Sequence, residues 1–214
     1  MSIHTHVQQG TQEWHMLRLG IPTASEFSRI VTPAKLAYAS GASTYIAELL
    51  AEWMSGEVDQ GPSSHWMERG IEIEGEARSW LSLHRDYDVE PGGFVYQNAE
   101  KLLGCSPDGL VGADGTVEIK CPKPATHIRY LLAGGLPDEY RMQVQGTLWV
   151  TNRKWCDFLS YCPKLPPLLV RVEREAAVHT ALSVGMARFI KELREGREHL
   201  LALGYEPYRQ EAAA

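Results

Sequence analysis

The spacing of apolar residues predicts mostly helices in the first part of the chain. Apolar side chains there recur three or four positions apart, as at Ile46, Leu49 and Trp53, which is typical of helices that bury one face. A similar stripe, which includes Phe189 and Leu193, marks a long helix near the end of the chain. In chain order, we expect helices over residues 11–19, 23–30, 43–55, 64–84, 125–132, 137–150 and 174–203.

From residue 93 onward, apolar and polar residues alternate in several segments, which predicts β-strands. We expect strands over residues 94–96, 102–111 with an interruption at Pro107, 116–121, 155–161 and 168–172. Helices before, between and after a mostly antiparallel sheet indicate an α/β (α+β) domain. The length predicts a single domain over residues 1–209, followed by a flexible tail over 210–214.

The charge balance limits how the protein can bind nucleic acid. Its 21 basic and 27 acidic residues give a formal net charge of −6, whereas proteins that bind DNA through bulk electrostatics are normally basic. Any DNA contact must therefore use locally concentrated positive charge. The opening residues lack the basic-then-apolar layout of a secretory signal, and no apolar run is long enough for a membrane helix. We therefore expect a cytoplasmic protein with no membrane partner.

The most informative segment covers residues 106–121 and reads SPDGLVGADGTVEIKC. Side chains alternate in its second strand, so Glu118 and Lys120 share the face opposite the apolar positions. The turn at 112–115 folds this strand back beside Asp108. Two carboxylates and an amine can therefore converge, a set that suits Mg²⁺ and phosphodiester hydrolysis. The alternative is an ordinary turn followed by a solvated strand face.

Five separated stretches extend this interpretation, and they occur at residues 9–20, 23–25, 70–78, 106–121 and 140–151. In these stretches, taken in order, the chain resembles the phage lambda exonuclease (YqaJ-type viral recombinase) family of the PD-(D/E)xK nuclease superfamily. The resemblance extends over about residues 8–205. It implies a restriction-endonuclease-like core, in which a mixed central β-sheet is flanked by helices.

The resemblance also implies a set of catalytic and metal-binding residues. The carboxylates of Asp108 and Glu118 and the main-chain carbonyl of Ile119 would bind the metal. The further catalytic residues would be Lys120, Glu74 and Gln143. Glu74 would hold a water at the metal, but it can instead form a helical ion pair with Arg78. For Gln143, a solvated position on the helix surface is the alternative.

The N-terminal stretches imply a pocket for a 5′-phosphate, formed by Arg18, Thr23 and Ser25. Local physical chemistry supports this assignment, because residues Thr23 to Glu26 read as a capping box that begins a helix, and a helix N-terminus attracts anions. Arg18 lies one helical turn after Trp14 and can bind phosphate with two donors. Helix capping alone is the alternative explanation of Thr23 and Ser25.

Through the resemblance, the chain is expected to be a Mg²⁺-dependent 5′→3′ exonuclease. It would digest linear double-stranded DNA from 5′-phosphorylated ends to mononucleotides and leave 3′ single strands for recombination by single-strand annealing. The resemblance further implies two Mg²⁺ ions, replaceable by Mn²⁺, a ring-shaped homotrimer around DNA, and a single-strand annealing protein as partner. Trp66 and Met67 could separate the strands of the DNA end, although such residues more often pack in a core.

Two other functions are compatible with the same residues. A restriction-type endonuclease of the same superfamily would also cut closed circular DNA, which an end-dependent enzyme leaves intact. A DNA-end-binding recombination mediator would bind DNA without cutting it, and its acidic hairpin would be vestigial.

Overall fold

The computed structural model describes residues 3–58 and 65–208, with side chains described except those of residues 3–5, 65–68, 70 and 71. Within these ranges, six α-helices form where the apolar spacing predicts helices. They are α1 (Gln12–Arg18), α2 (Ala42–Ser55), α3 (His65–Arg85), α4 (Pro124–Ala133), α5 (Asp138–Thr151) and α6 (Ala176–Ala202). The predicted helix start at 64, the side chains of Trp66 and Met67, and the predicted tail over 210–214 lie outside the described residues. No helix in the described ranges is long and apolar enough to span a bilayer.

The strands in the same ranges form two sheets. They are β1 (Ile3–Thr5), β2 (Phe94–Tyr96), β3 (Gly104–Cys105), β4 (Gly109–Val111), β5 (Gly115–Lys120), β6 (Trp155–Ser160) and β7 (Leu168–Glu173). The smaller sheet has the order β1-β2-β3 and is antiparallel. The larger sheet has the order β4-β5-β6-β7, and its central pair, β5 and β6, is parallel while the outer pairs are antiparallel. A mixed sheet combined with helices confirms the predicted α/β class.

The strand predicted over 102–111 is wrong in one respect, because its two halves belong to different sheets. β3 pairs with β2, whereas β4 pairs with β5. Pro107 lies between the two halves and has no N–H to donate to a strand neighbour. The chain therefore leaves one sheet before Pro107 and enters the other after it, which places Asp108 directly before β4.

The helix predicted over 23–30 is present only as a short 3₁₀ helix, Ala24–Arg29. The capping box predicted for its start is wrong, since the Thr23 side chain makes no capping hydrogen bond. Instead, the Thr23 hydroxyl accepts a hydrogen bond from Arg18 Nη2 at 3.3 Å and lies 3.2 Å from the Ser25 hydroxyl. A charged donor thus takes the place of the main-chain N–H that a cap would bind.

Helices cover both faces of the larger sheet. On one face, α3 forms a buried apolar cluster with β5 and β6 that includes Ala77, Leu81, Val117, Ile119 and Leu159. On the other face, α5 forms a second cluster with β6, made of Val144, Leu148, Cys156 and Phe158. Apolar burial of this kind stabilises the fold by roughly 25 cal/mol per Å², and it fixes the sheet between the two helices. The face of β5 that carries Glu118 is therefore covered by protein.

Candidate active site

The acidic hairpin holds Asp108 beside the end of β5. The pairing of β4 with β5 ends at Val117, so Glu118, Ile119 and Lys120 have a neighbouring strand only on the β6 side. Asp108 occupies the other side. Its N–H donates to the Val117 carbonyl at 3.1 Å, and its Oδ2 accepts a hydrogen bond from the Ile119 N–H at 2.6 Å. The predicted convergence of Asp108 with the two polar residues of β5 is therefore present.

Glu118, Lys120 and Gln143 form one hydrogen-bonded group. Glu118 Oε1 accepts hydrogen bonds from Lys120 Nζ and from Gln143 Nε2, each at 2.5 Å. Glu118 is only 1% exposed, because α5 lies over this face of the sheet. The other carboxylate oxygen, Oε2, is buried and has no hydrogen-bond partner among the residues that the structure describes. Since a buried carboxylate oxygen without a partner is costly, this atom marks a place where a positively charged ligand would be favourable.

The charge of Glu118 also affects the titration of Asp108. Burial and the neighbouring Glu118 raise the pKa of Asp108 to about 8, and Lys120 opposes them only in part. Burial acts to lower the pKa of Lys120, but Glu118 and Asp108 raise it above its ordinary value. Lys120 is therefore charged at neutral pH, and two buried acids share its single positive charge. A further cation between Asp108 and Glu118 would oppose the effects of burial and of the Glu118 charge, and would lower the pKa of Asp108.

The donors at this place fit a divalent cation of the magnesium type. The carboxylates of Asp108 and Glu118 offer oxygen donors, as would the main-chain carbonyl predicted at Ile119, and oxygen donors suit Mg²⁺ and Mn²⁺. No group of three His, Cys, Asp or Glu residues that could hold a metal ion occurs among the described residues. Mg²⁺ typically takes one or two carboxylates and completes its shell with water and substrate phosphate oxygens. The residues therefore fit a magnesium site that the substrate completes.

A cavity of about 180 Å³ lies beside this group. Its walls bring together most of the residues predicted for phosphate and metal chemistry: Arg18, Thr23, Ser25, Asp108, Lys120 and Gln143. The Arg18 guanidinium lies 4.5 Å from the centre of the Trp14 ring. Burial lowers the pKa of Arg18, because the water that would solvate the cation is excluded. An anionic ligand in this cavity would replace that lost solvation.

Three predicted site residues do not line this cavity: Glu74, Glu118 and Ile119. The Ile119 side chain packs into the apolar cluster under α3. Only its main-chain carbonyl could therefore bind a metal. Glu74 lies on the other side of Asp108, in a larger groove of about 900 Å³. Its carboxylate is 2.7 Å from Arg78 Nη2, so the helical ion pair named as the alternative is present. The catalytic role of Glu74 stays a prediction.

The sequence reasoning did not identify three polar residues of the cavity wall: Gln9, Ser106 and Thr147. Ser106 Oγ accepts a hydrogen bond from Trp14 Nε1 at 2.9 Å, and Gln9 Nε2 donates to the Pro107 carbonyl at 2.9 Å. Both bonds join segments more than ninety residues apart in sequence. The sequence feature that could have identified them is their position, because Gln9 is the first residue of the stretch 9–20 and Ser106 is the first residue of the acidic hairpin. The N-terminal motif thus holds the segment that carries Asp108.

The 3₁₀ helix lies directly against α5 at Gly146. A Cβ on Gly146 would lie 2.6 Å from Phe27 Cδ2 and 3.3 Å from Ala24 Cβ. Such distances leave no room for a side chain, and glycine alone permits this approach. The contact brings Ser25, next to Ala24, to the same cavity as Gln143, one turn before Gly146 on α5.

The mixed sheet, the acidic hairpin and the covering helices define a restriction-endonuclease-like α/β fold of the PD-(D/E)xK type. Comparison with known families agrees with this class. The profile of the YqaJ-like viral recombinase domain family matches residues 13–154, which is more than half of the chain. The chain belongs to the YqaJ-like viral recombinase domain family.

Solved structures of exonucleases resemble the chain. The crystal structure of LHK-Exo in complex with dAMP is 34% identical, with a TM-score of 0.81, and the match covers 91% of this chain and 98% of that one. A structure of this alkaline exonuclease from Laribacter hongkongensis is 33% identical, with a TM-score of 0.75, over 90% and 100%. A phage-related exonuclease from Haemophilus somnus 129PT, 13% identical with a TM-score of 0.60 over 82% and 96%, shows the fold alone. A search of curated proteins finds no match.

Proposed function

We propose that this protein is a Mg²⁺-dependent 5′→3′ exonuclease that acts in the cytoplasm. Family membership and likeness to an alkaline exonuclease support a DNA exonuclease role. The finer proposal is that it digests linear double-stranded DNA from 5′-phosphorylated ends to mononucleotides and leaves 3′ single strands for recombination by single-strand annealing. The relative LHK-Exo was crystallised with dAMP, which is a mononucleotide of the kind that such an enzyme would release.

The observation that carries the proposal is that Arg18, Asp108 and Lys120 line one cavity. A terminal 5′-phosphate held by Arg18, Thr23 and Ser25 would leave the next phosphodiester near Asp108 and Lys120. Two anchored phosphates would restrict the scissile bond to one position, and such positioning is itself a large contribution to rate. Cleavage at that bond would release one nucleotide at a time.

Asp108, Glu118 and the Ile119 carbonyl would hold the metal. Two ions, held by these residues together with the substrate, are expected, and Mn²⁺ would substitute for Mg²⁺. When bound, Mg²⁺ would supply Lewis-acid chemistry, because it polarises a phosphodiester, lowers the pKa of water and stabilises a leaving oxygen. Lys120 would orient the attacking water and offset the negative charge that develops on the phosphate. Departure of the 3′ oxygen in line with that attack would complete the cleavage.

Gln143 and Glu74 would act next to the metal ligands. Gln143 donates its side-chain N–H to Glu118 Oε1, which leaves Oε2 of the same carboxylate as the oxygen that can bind a cation. Glu74 would hold a water on the groove side of Asp108. Its ion pair with Arg78 uses Oε1, and the second carboxylate oxygen is the one that would accept from this water.

Assembly is a separate part of the proposal. The family resemblance suggests a ring-shaped homotrimer with DNA in its channel and a single-strand annealing protein as partner. Enclosure of DNA suits a chain with a net charge of −6, because processivity would then not depend on bulk electrostatic attraction. Light scattering at micromolar concentration should give the mass of three chains, and a monomer would contradict the ring.

The central experiment is digestion of four DNA substrates with and without Mg²⁺. The substrates are linear duplex with 5′-phosphate ends, the same duplex with 5′-hydroxyl ends, closed circular duplex, and 5′-phosphorylated duplex labelled at the 3′ end. We expect mononucleotide release from the phosphorylated duplex, slower release from the hydroxyl duplex, no cutting of the circle and late loss of the 3′ label. All digestion should stop in EDTA and return with Mg²⁺ or Mn²⁺.

Each other outcome identifies a different function. Cutting of closed circular DNA would indicate the endonuclease of the same superfamily. Binding of DNA ends without release of nucleotides, at any divalent cation concentration, would indicate the recombination mediator. Early loss of the 3′ label would reverse the proposed direction of digestion.

A further inference from the structure

The turn between α1 and the 3₁₀ helix is held by side chains from two distant helices. This turn joins Arg18 to Thr23, two residues of the proposed phosphate pocket, and Gly20 lies at its centre. The Gly20 N–H donates to Glu52 Oε2 of α2 at 2.9 Å, and the Gly20 carbonyl accepts a hydrogen bond from Arg197 Nη2 of α6 at 2.5 Å. Both polar main-chain atoms of one residue are therefore fixed by charged side chains.

Packing around Gly20 removes the remaining freedom of the turn. Gly20 has a φ of +67°, and a Cβ there would lie 3.0 Å from Trp53 Cβ and 3.3 Å from Arg197 Nη2. The Arg197 guanidinium lies 5.3 Å from the centre of the Trp53 ring, and its Nε is buried without a hydrogen-bond partner in the described part of the chain. A partly desolvated cation is thus placed against a single main-chain carbonyl, which makes that carbonyl a strongly preferred partner.

The same face of α2 also holds the far end of the turn. The Thr23 N–H donates to the Tyr45 hydroxyl at 3.4 Å, and Tyr45 lies seven residues before Glu52, on the same side of the helix. The turn is therefore attached to α2 at two points and to α6 at one. Arg18 Nη2 reaches the Thr23 hydroxyl across this turn at 3.3 Å, so the separation of the two phosphate-binding groups depends on the turn.

We infer that Glu52 and Arg197 are positioning residues that set the preference for 5′-phosphorylated ends, because they hold Arg18 at a fixed distance from Thr23 and Ser25. The inference rests on the proposed function, since it concerns the pocket that would bind the terminal phosphate. Neither residue lines the cavity, and both hold the Gly20 turn. The Glu52 charge also acts directly on the Arg18 guanidinium, an effect that Glu52→Gln removes while it keeps the contact with the turn. Displacement of a binding group by about 1 Å can cost a factor of up to about 100 in rate.

The test compares kcat/KM on 5′-phosphorylated and 5′-hydroxyl linear duplex for a set of full-length variants. We expect Arg197→Ala and Glu52→Ala to lower the ratio of kcat/KM on phosphorylated ends to kcat/KM on hydroxyl ends about tenfold. The change should appear as a higher KM for phosphorylated ends. Glu52→Gln keeps an acceptor for the Gly20 N–H and should retain the ratio. Arg194→Ala is the matched control, because Arg194 lies one turn earlier on α6, is exposed and pairs with Glu100 at 3.4 Å.

The outcomes separate this inference from the proposed function. Equal losses on both kinds of end, or an unchanged ratio in Arg197→Ala and Glu52→Ala, would show a merely structural role and overturn the inference. If Arg197→Ala does not fold, two other variants replace it in the test. Glu52→Ala should lower the ratio, whereas Arg197→Lys, which keeps a donor for the Gly20 carbonyl, should retain most of it. An unchanged ratio in Glu52→Ala would then overturn the inference. Arg18→Ala is measured in the same series. An Arg18→Ala protein with the wild-type ratio overturns the phosphate pocket itself, whereas loss of the ratio in Arg18→Ala alone overturns only the positioning role.

Discussion

The close contact between the 3₁₀ helix and α5 predicts that Gly146→Ala destabilises the protein. The added Cβ would lie 2.6 Å from Phe27 Cδ2 and 3.1 Å from Phe27 Cε2. Phe27 is fully buried, so its ring cannot turn into solvent to make room. Overpacking of a filled core costs about 1–3 kcal/mol. Alanine in place of a helical glycine has the opposite effect and stabilises a helix by about 1 kcal/mol.

A matched substitution separates these two terms. Gly75 also lies inside a helix, but a Cβ there would meet no atom within 4 Å among the described residues, the backbone of its own helix aside. Gly75→Ala should therefore show the gain in helix propensity alone. The free energies of unfolding of the two variants should differ by about 1–3 kcal/mol, because the propensity term is common to both and cancels.

Urea denaturation of wild type, Gly146→Ala and Gly75→Ala in one buffer gives the required comparison. We expect Gly75→Ala to be the most stable of the three and Gly146→Ala the least. The 3₁₀ helix carries Ser25, so Gly146→Ala should also weaken the preference for 5′-phosphorylated ends. A Gly146→Ala protein as stable as Gly75→Ala would show that the 3₁₀ helix can move away from α5 at no cost, and would refute the packing argument.

Three further predictions concern chemistry and pH. Lys120→Ala should lower kcat on linear duplex by at least about 100-fold, while DNA-end binding, measured by fluorescence anisotropy, persists; undiminished digestion would remove Lys120 from the mechanism. Arg18→Ala should reduce the preference for 5′-phosphate over 5′-hydroxyl ends by about tenfold or more, because it removes a charged hydrogen bond, and equal preference to wild type would contradict the pocket. His179 donates through Nε2 to Gln145 Oε1 at 2.9 Å, and burial lowers the pKa of this His to about 4. The unfolded chain then binds a proton near pH 6.5 that the folded chain does not, so stability falls as the pH drops below 6.5. From pH 7.5 to 5, His179 should cost about 2 kcal/mol of unfolding free energy, and urea denaturation of His179→Asn should show a correspondingly smaller loss.

Local patterns in the sequence were sufficient for most helices and strands. The periods of three to four and of two residues predicted six α-helices and the strand that carries Glu118 and Lys120, because burial of one face selects apolar residues at those intervals. The hairpin also predicted that Asp108 returns to this strand, since a short turn leaves little choice of partner. Family membership, which the profile match confirms, was apparent from the order of the five stretches.

Local patterns failed where a distant partner decides the outcome. The sequence around Thr23 favours a helix cap, but the Thr23 hydroxyl accepts a hydrogen bond from Arg18 instead. The hairpin itself does not show whether the face that carries Glu118 is exposed to solvent. The packing of α5 on that face makes Glu118 a buried acid, one oxygen of which has no hydrogen-bond partner within the described ranges.

The set of elements, the acidic hairpin and the family can therefore be inferred from the sequence alone. Which of those elements meet depends on the packing of the whole chain. This packing closed the cavity with Ser106 and Thr147, and it joined Gly20 to Arg197 across 177 positions of the chain. The reason is physical: periodicity reports the face that each element buries, whereas the partner on that face depends on how all the elements pack at once.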